Sequence, residues 1–96
     1  MSGLPDNVSL FRDLGELDEI SIPAGLLKDH SLKEGVWGRL EMLAGSLRFV
    51  WAAGEPSGRI LSAGDTMIIP PTKLHHLELD GDFKLKLALH RENSQV

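Results

Sequence analysis

Apolar residues fall at every second position through much of this chain, in short runs separated by glycine- and proline-rich breaks. The clearest stripe is Phe83, Leu85, Leu87 and Leu89, with Lys84 and Lys86 opposite; such alternation predicts a half-buried strand. Val36 to Leu43 alternates likewise, with Val36, Gly38, Leu40 and Met42 on one face and Trp37, Arg39, Glu41 and Leu43 on the other. Ala44-Gly45 then reads as a turn into Ser46 to Ala52, where Leu47, Phe49 and Trp51 share a face; the pair predicts a β-hairpin. Asp80-Gly81-Asp82 reads as a second turn, returning Leu74 to Leu79 against the 83–89 strand, with His75, Leu77 and Leu79 on the side of Leu85 and Leu87 and Glu78 able to meet Lys84 or Lys86. Leu10, Leu14 and Leu17 fit either one helical face interrupted by Gly15 or edge strands, and strand is preferred. Gly54 to Gly58 reads as a hairpin loop. The pattern predicts an all-β domain whose core includes Leu40, Met42, Leu47, Phe49, Ile69, Leu77, Leu85 and Leu87.

Composition narrows the class. At 96 residues the chain is read as one domain, 1–96, with residues 1–7 and 91–96 as fraying ends, and its small core favours self-association as a homodimer through the outer face bearing Trp37 and Leu43. Hydrophobic residues at 42% and charged residues at 25% suit a soluble fold rather than disorder. A net charge of −4 with no basic run argues against nucleic acid as a partner. Cysteine is absent, which removes disulfides, thiolate nucleophiles and zinc ribbons. No secretion signal and no apolar run long enough for a membrane span are seen, so the cytoplasm is the expected location and no membrane partner is expected. No GxSxG, HExxH, P-loop or GxGxxG string occurs, leaving hydrolase, metalloprotease and nucleotide readings without a motif and no organic cofactor indicated.

One stretch carries candidate chemistry. Gly64-Asp65-Thr66-Met67-Ile68-Ile69-Pro70-Pro71-Thr72-Lys73-Leu74-His75-His76 reads as a turn, a short buried strand, a proline corner and a strand opening on histidine, and it resembles the second motif of the cupin superfamily. Ile22-Pro23-Ala24-Gly25-Leu26-Leu27-Lys28-Asp29-His30 and Gly35-Val36-Trp37-Gly38-Arg39-Leu40-Glu41 resemble small bacterial single-domain cupins related to tellurite-resistance proteins; together the likeness spans Ile22 to Arg91. The resemblance implies a cupin-type jelly-roll barrel (double-stranded β-helix) with an inward histidine, His75, that in cupins often holds a metal ion. It implies no established reaction, and the tellurite link derives from a fusion to a methyltransferase that this chain does not contain.

The usual first cupin motif offers two histidines, an inward glutamate and, seven residues later, a glycine. Counting back from Gly45 puts Gly38 at the glutamate position and Ser31 to Glu34 at the histidine positions, with His30 a step away. His30 is thus a replacement ligand beside His75, Glu34 a further candidate, and Glu41 is excluded because its parity points it outward. His76 and His90 are read as outer-face residues, and Trp37 and Trp51 as packing or interface groups rather than ligand platforms. The function expected is binding of a divalent transition metal (zinc, nickel, iron or copper) or a small polar molecule near His30 and His75, with a link to stress or tellurite response. The alternatives are a metal-dependent cupin enzyme acting on a small molecule, or a metal-free dimeric accessory domain.

Overall fold

The computed structural model describes residues 4–52 and 58–93. Two long strands organise it: β2, Val36–Trp51, and β5, His75–Glu92. They pair antiparallel along their whole length, from Val36 opposite Arg91 to Trp51 opposite His75. β1, Val8–Asp18, lies on the free edge of β5, while β3, Arg59–Ser62, and β4, Thr66–Ile69, lie one after the other along the free edge of β2. The sheet order is β1-β5-β2-β3 with β4 also on β2, so the sheet does not close. A single 3-10 turn, Ala24–Leu27, is the only helical piece among the described residues. The all-β jelly-roll expectation holds, and the ambiguous Leu10 to Leu17 segment is a strand.

Both expected hairpins are instead continuous strands. Ala44 and Gly45 lie opposite Lys84 and Phe83, with register shifts on either side, and Asp80 to Asp82 fall in the second of them, so the two segments read as turns are adjoining bulges in paired strands. Gly45 sits at φ 70° and Gly81 at φ 98°, conformations that L side chains seldom adopt. A bulge bends its strand and adds a residue without reversing the chain. Here it also switches parity: the inward residues of β2 are Leu40 and Met42 before the bulge but Leu47 and Phe49 after it. Sequence alternation that changes phase across a glycine is compatible with either a turn or a bulge, which is why the reading as a turn failed.

The bend folds the sheet over one hydrophobic cluster. All eight residues expected in the core are buried, joined by Leu17, Leu61, Met67 and Phe83. Burying each large aliphatic side chain contributes about 1.5–3 kcal/mol. Leu79, expected on the inner side, is 39% exposed, because it lies where β5 enters its bulge. Glu78 does not reach Lys84 or Lys86; it stands opposite Arg48 on β2, and Lys84 pairs with Glu16 instead, at 3.8 Å. β5 runs on through Arg91 and Glu92, paired with Ser9 and Val8. Residues 1–3, 53–57 and 94–96, including most of the expected Gly54 to Gly58 loop, lie outside the described residues.

Candidate functional site

β1 covers the edge of β5 only from Lys84 to Glu92, leaving the other end of that edge to the loop between β1 and β2. His30 takes it. Its backbone N–H donates to the His75 carbonyl and the His75 N–H donates back, both at 2.9 Å, forming an isolated antiparallel bridge. Residues paired across such a bridge project their side chains to the same face. The two imidazole centres are 4.3 Å apart with their planes at 59°.

Each ring is oriented the same way. His30 Nδ1 lies 2.8 Å from the Lys28 carbonyl oxygen, and His75 Nδ1 lies 2.8 Å from that of Lys73. A carbonyl only accepts, so each Nδ1 must carry the proton and each neutral ring keeps its lone pair on Nε2. Among the described residues no sealed side-chain nitrogen or oxygen lacks a partner. Among those residues the Nε2 of His75 has no hydrogen-bond partner, and it is therefore not sealed by them. His75 itself is only 2% exposed. Burial pushes its pKa below the ordinary histidine value, outweighing the upward pull of the Lys73 carbonyl, while His30 lowers it further. The fold keeps His75 neutral and able to donate an electron pair.

Aromatic residues wall the pair. Phe49 stacks on His75 at 5.1 Å and 12°, and Trp51 meets it edge-on at 5.7 Å. Trp51, read from sequence as a packing or interface group rather than a ligand platform, is half-buried beside the candidate ligands. Lys73 Nζ sits 5.6 Å from the centre of the Trp51 ring, placing a cation at the rim. These neighbours were missed because a hairpin at Ala44-Gly45 conceals the pairing of Trp51 with His75.

The other sequence candidates fall elsewhere. Glu34 is exposed. Glu41 pairs with Arg39 at 3.6 Å on the outer face, as its parity requires. Gly38 is buried, and a Cβ there would lie 3.2 Å from Leu32 Cδ1 and 3.3 Å from Ile69 Cβ, so apolar side chains occupy the space an inward glutamate needs. No group of three or more His, Asp or Glu residues able to hold a metal occurs among the described residues.

On the opposite face of the bridge, His76 lies between two carboxylates, with Nδ1 2.8 Å from Asp29 Oδ1 and Nε2 2.9 Å from Glu78 Oε2. Glu78 first and Asp29 second hold its pKa above the ordinary value. With both nitrogens engaged, His76 has no lone pair for a metal. A separate open groove of about 490 Å³ lies across the other end of the sheet, between Ser9, Leu10, Phe11 and Arg91, Glu92, Asn93. It contains none of the residues around His75.

Comparison with known proteins gives the family. The model of the TehB-like domain matches residues 12–87, and the chain belongs to that family. A search of curated proteins finds no match. Among solved structures, a protein from E. coli (strain K12) is similar at 23% identity and TM-score 0.85, with 98% of this chain and all of that one covered. TehB from Haemophilus influenzae is similar at 20% identity and TM-score 0.82 over 91% of this chain, which spans only 32% of TehB. A cupin protein from Bacteroides fragilis is similar at 19% identity and TM-score 0.59, covering all of this chain and 85% of its own. At these identities the likeness establishes the cupin fold.

Proposed function

We propose that this TehB-like cupin domain is a binding module in which His30 and His75 together hold a divalent transition metal ion, with a small polar ligand from solution completing the coordination. The observation that carries the reading is the oriented pair itself, two imidazoles 4.3 Å apart with both Nδ1 atoms committed to backbone carbonyls. Hydrogen bonding at the second ring nitrogen is how proteins fix the tautomer of a metal-binding histidine. Two imidazoles bound to one ion at about 2.1 Å place their ring centres roughly 4.6 Å apart at a right angle and roughly 5.3 Å apart at a tetrahedral one, so the pair is within about 1 Å of the spacing a shared ion needs.

Imidazole suits zinc, nickel, iron and copper alike, so the donor set does not select among them. An iron(II) HppE is among the structures of similar fold, at 20% identity and TM-score 0.60, and it supports the reading of a metal on this scaffold. A bound ion would supply Lewis acidity and a point of attachment for an anionic or carbonyl oxygen. The chain's own contribution is to keep His75 neutral by burial, to aim both rings from the backbone, and to shield the pair with Phe49 and Trp51. Two protein ligands give modest affinity and leave several positions open, which favours ligand capture over a fully built catalytic centre.

The same proposal includes a cytoplasmic setting and a role in stress or tellurite response. Among the described residues no helix is long and apolar enough to cross a membrane, which leaves strand-based spans unaddressed. It also includes a homodimer through the outer sheet face, where Leu43 is 36% exposed and Trp37 is half-buried, its indole N–H donating to Glu92 at 3.0 Å. The test of the metal reading is equilibrium dialysis of untagged protein against each metal, with elemental analysis of the retained excess. Near-stoichiometric metal is expected in the native chain at saturating concentration and loss in both His30→Ala and His75→Ala. Equal metal content in all three would refute it.

A further inference from the structure

His30 reaches the sheet on a loop whose Ile22, Leu26 and Leu32 side chains pack against the core, while His30 itself is tied to the strand through its backbone. Besides its two-bond bridge to His75, the neighbouring anchor is the Thr72 N–H donating to the Leu32 carbonyl at 2.9 Å. The bridge that sets His30 and His75 side by side also sets their chain neighbours, Asp29 and His76, together on the opposite face. There the Asp29 carboxylate is held at 2.8 Å by His76, whose far nitrogen is held at 2.9 Å by Glu78, two residues along β5. Both contacts have the length of charge-assisted hydrogen bonds. A chain of three polar side chains thus fastens the loop to the strand one residue away from the candidate ligand.

The geometry points to Asp29, His76 and Glu78 as positioning residues, a clasp on the outer face that keeps His30 against His75 and thereby sets how strongly the pair holds its ligand. Glu78 fixes the His76 ring, His76 captures Asp29, and Asp29 fixes the register of His30. None of the three touches the ion. Partners that orient metal ligands from behind typically change affinity about 10- to 100-fold when removed. This inference rests on the metal-binding reading for its second consequence, while its first, the hold on the loop, is independent of any metal.

Amide hydrogen exchange on the untagged full chain separates the two. In Asp29→Asn and in His76→Phe, exchange at the His30 and His75 amides should accelerate about tenfold or more, while the Leu85 amide, in the buried core, keeps its native rate. The double variant should be no faster than the faster single one, because either change opens the same clasp. Glu78→Gln, which leaves the Asp29 contact in place, should give a smaller acceleration. Nickel titration calorimetry on the same proteins should show about tenfold weaker binding for Asp29→Asn and His76→Phe. Unchanged exchange at His30 and His75 would overturn the clasp. Accelerated exchange with unchanged nickel affinity would overturn its role in the site. Accelerated exchange in a chain whose native form binds no nickel, zinc or copper would support the hold on the loop and reject the metal reading instead.

Discussion

Replacing Gly45 with alanine tests the adjoining bulges that turn two supposed hairpins into two bent strands. A Cβ at Gly45 would lie 2.2 Å from the Asp82 carbonyl oxygen and 2.9 Å from Phe83 Cα, atoms of the facing strand's backbone that cannot rotate aside. That is about 1 Å or more inside van der Waals contact. The left-handed conformation adds its own cost, roughly 1 to 2 kcal/mol for a residue with a Cβ. Forcing atoms into a packed region typically costs about 1 to 3 kcal/mol more. Gly15 provides the control, since its φ of 71° matches the 70° of Gly45 while a Cβ there would meet nothing within 4 Å. Urea unfolding should therefore show Gly15→Ala losing about 1 to 2 kcal/mol and Gly45→Ala about 2 to 5 kcal/mol, a large part of the roughly 5 to 15 kcal/mol typical of a domain. Equal losses would mean that the strands do not approach at Gly45, and a turn there would again be tenable.

Further expectations follow from the site and the surface. Gly38→Glu alone should destabilise the fold and gain no metal affinity, because Leu32 and Ile69 fill the space; combined with Leu32→Ala it should bind nickel at least about tenfold tighter than Leu32→Ala alone, by supplying a third ligand, and calorimetry showing no gain would place residue 38 away from the pair. Because burial lowers the pKa of His75 from its ordinary 6.5, the folded state binds this proton less readily than the unfolded one. Its contribution to stability is therefore complete above pH 6.5 and is lost as pH falls from there toward the folded value. His76 has the opposite sign: its pKa is raised from 6.5, so its contribution is complete below pH 6.5 and is lost as pH rises through the folded value. Unfolding curves across this range should show the native chain's margin over His76→Phe shrinking toward alkaline pH; a margin that widens would contradict the clamped imidazolium. Light scattering should find a dimer that Leu43→Glu converts to monomer, and a native monomer at high micromolar concentration would remove the dimer from the account.

What the sequence makes legible is the side of the sheet on which each residue lies. Leu40, Met42, Leu85 and Leu87 declare their face because period-two alternation depends only on local backbone geometry. His75 declares its own through the same alternation with Leu77, and the proline corner before it fixes where its strand begins. The partner of each strand is another matter. Gly45 and Gly81 are as suitable for a reversing turn as for a bulge, and only the facing strand, distant in sequence, decides between them. That ambiguity hid Phe49 and Trp51 as the walls of the site. Asp29 and Glu78 were hidden for a related reason: on its own each is a solvated acid, and their convergence on His76 depends on the bridge at His30, two hydrogen bonds that no local pattern encodes.

The shared ion at His30 and His75 is tested most directly by pulsed electron paramagnetic resonance of the untagged protein loaded with one equivalent of copper(II). The remote nitrogen of each bound imidazole modulates the electron spin echo, and the modulation counts the rings. With Nε2 as the donor on both rings and Nδ1 remote and protonated, the native chain should show two equivalent imidazoles, and His30→Ala and His75→Ala should each show one at most. A native spectrum with no imidazole modulation, or one unchanged by either substitution, would contradict the account.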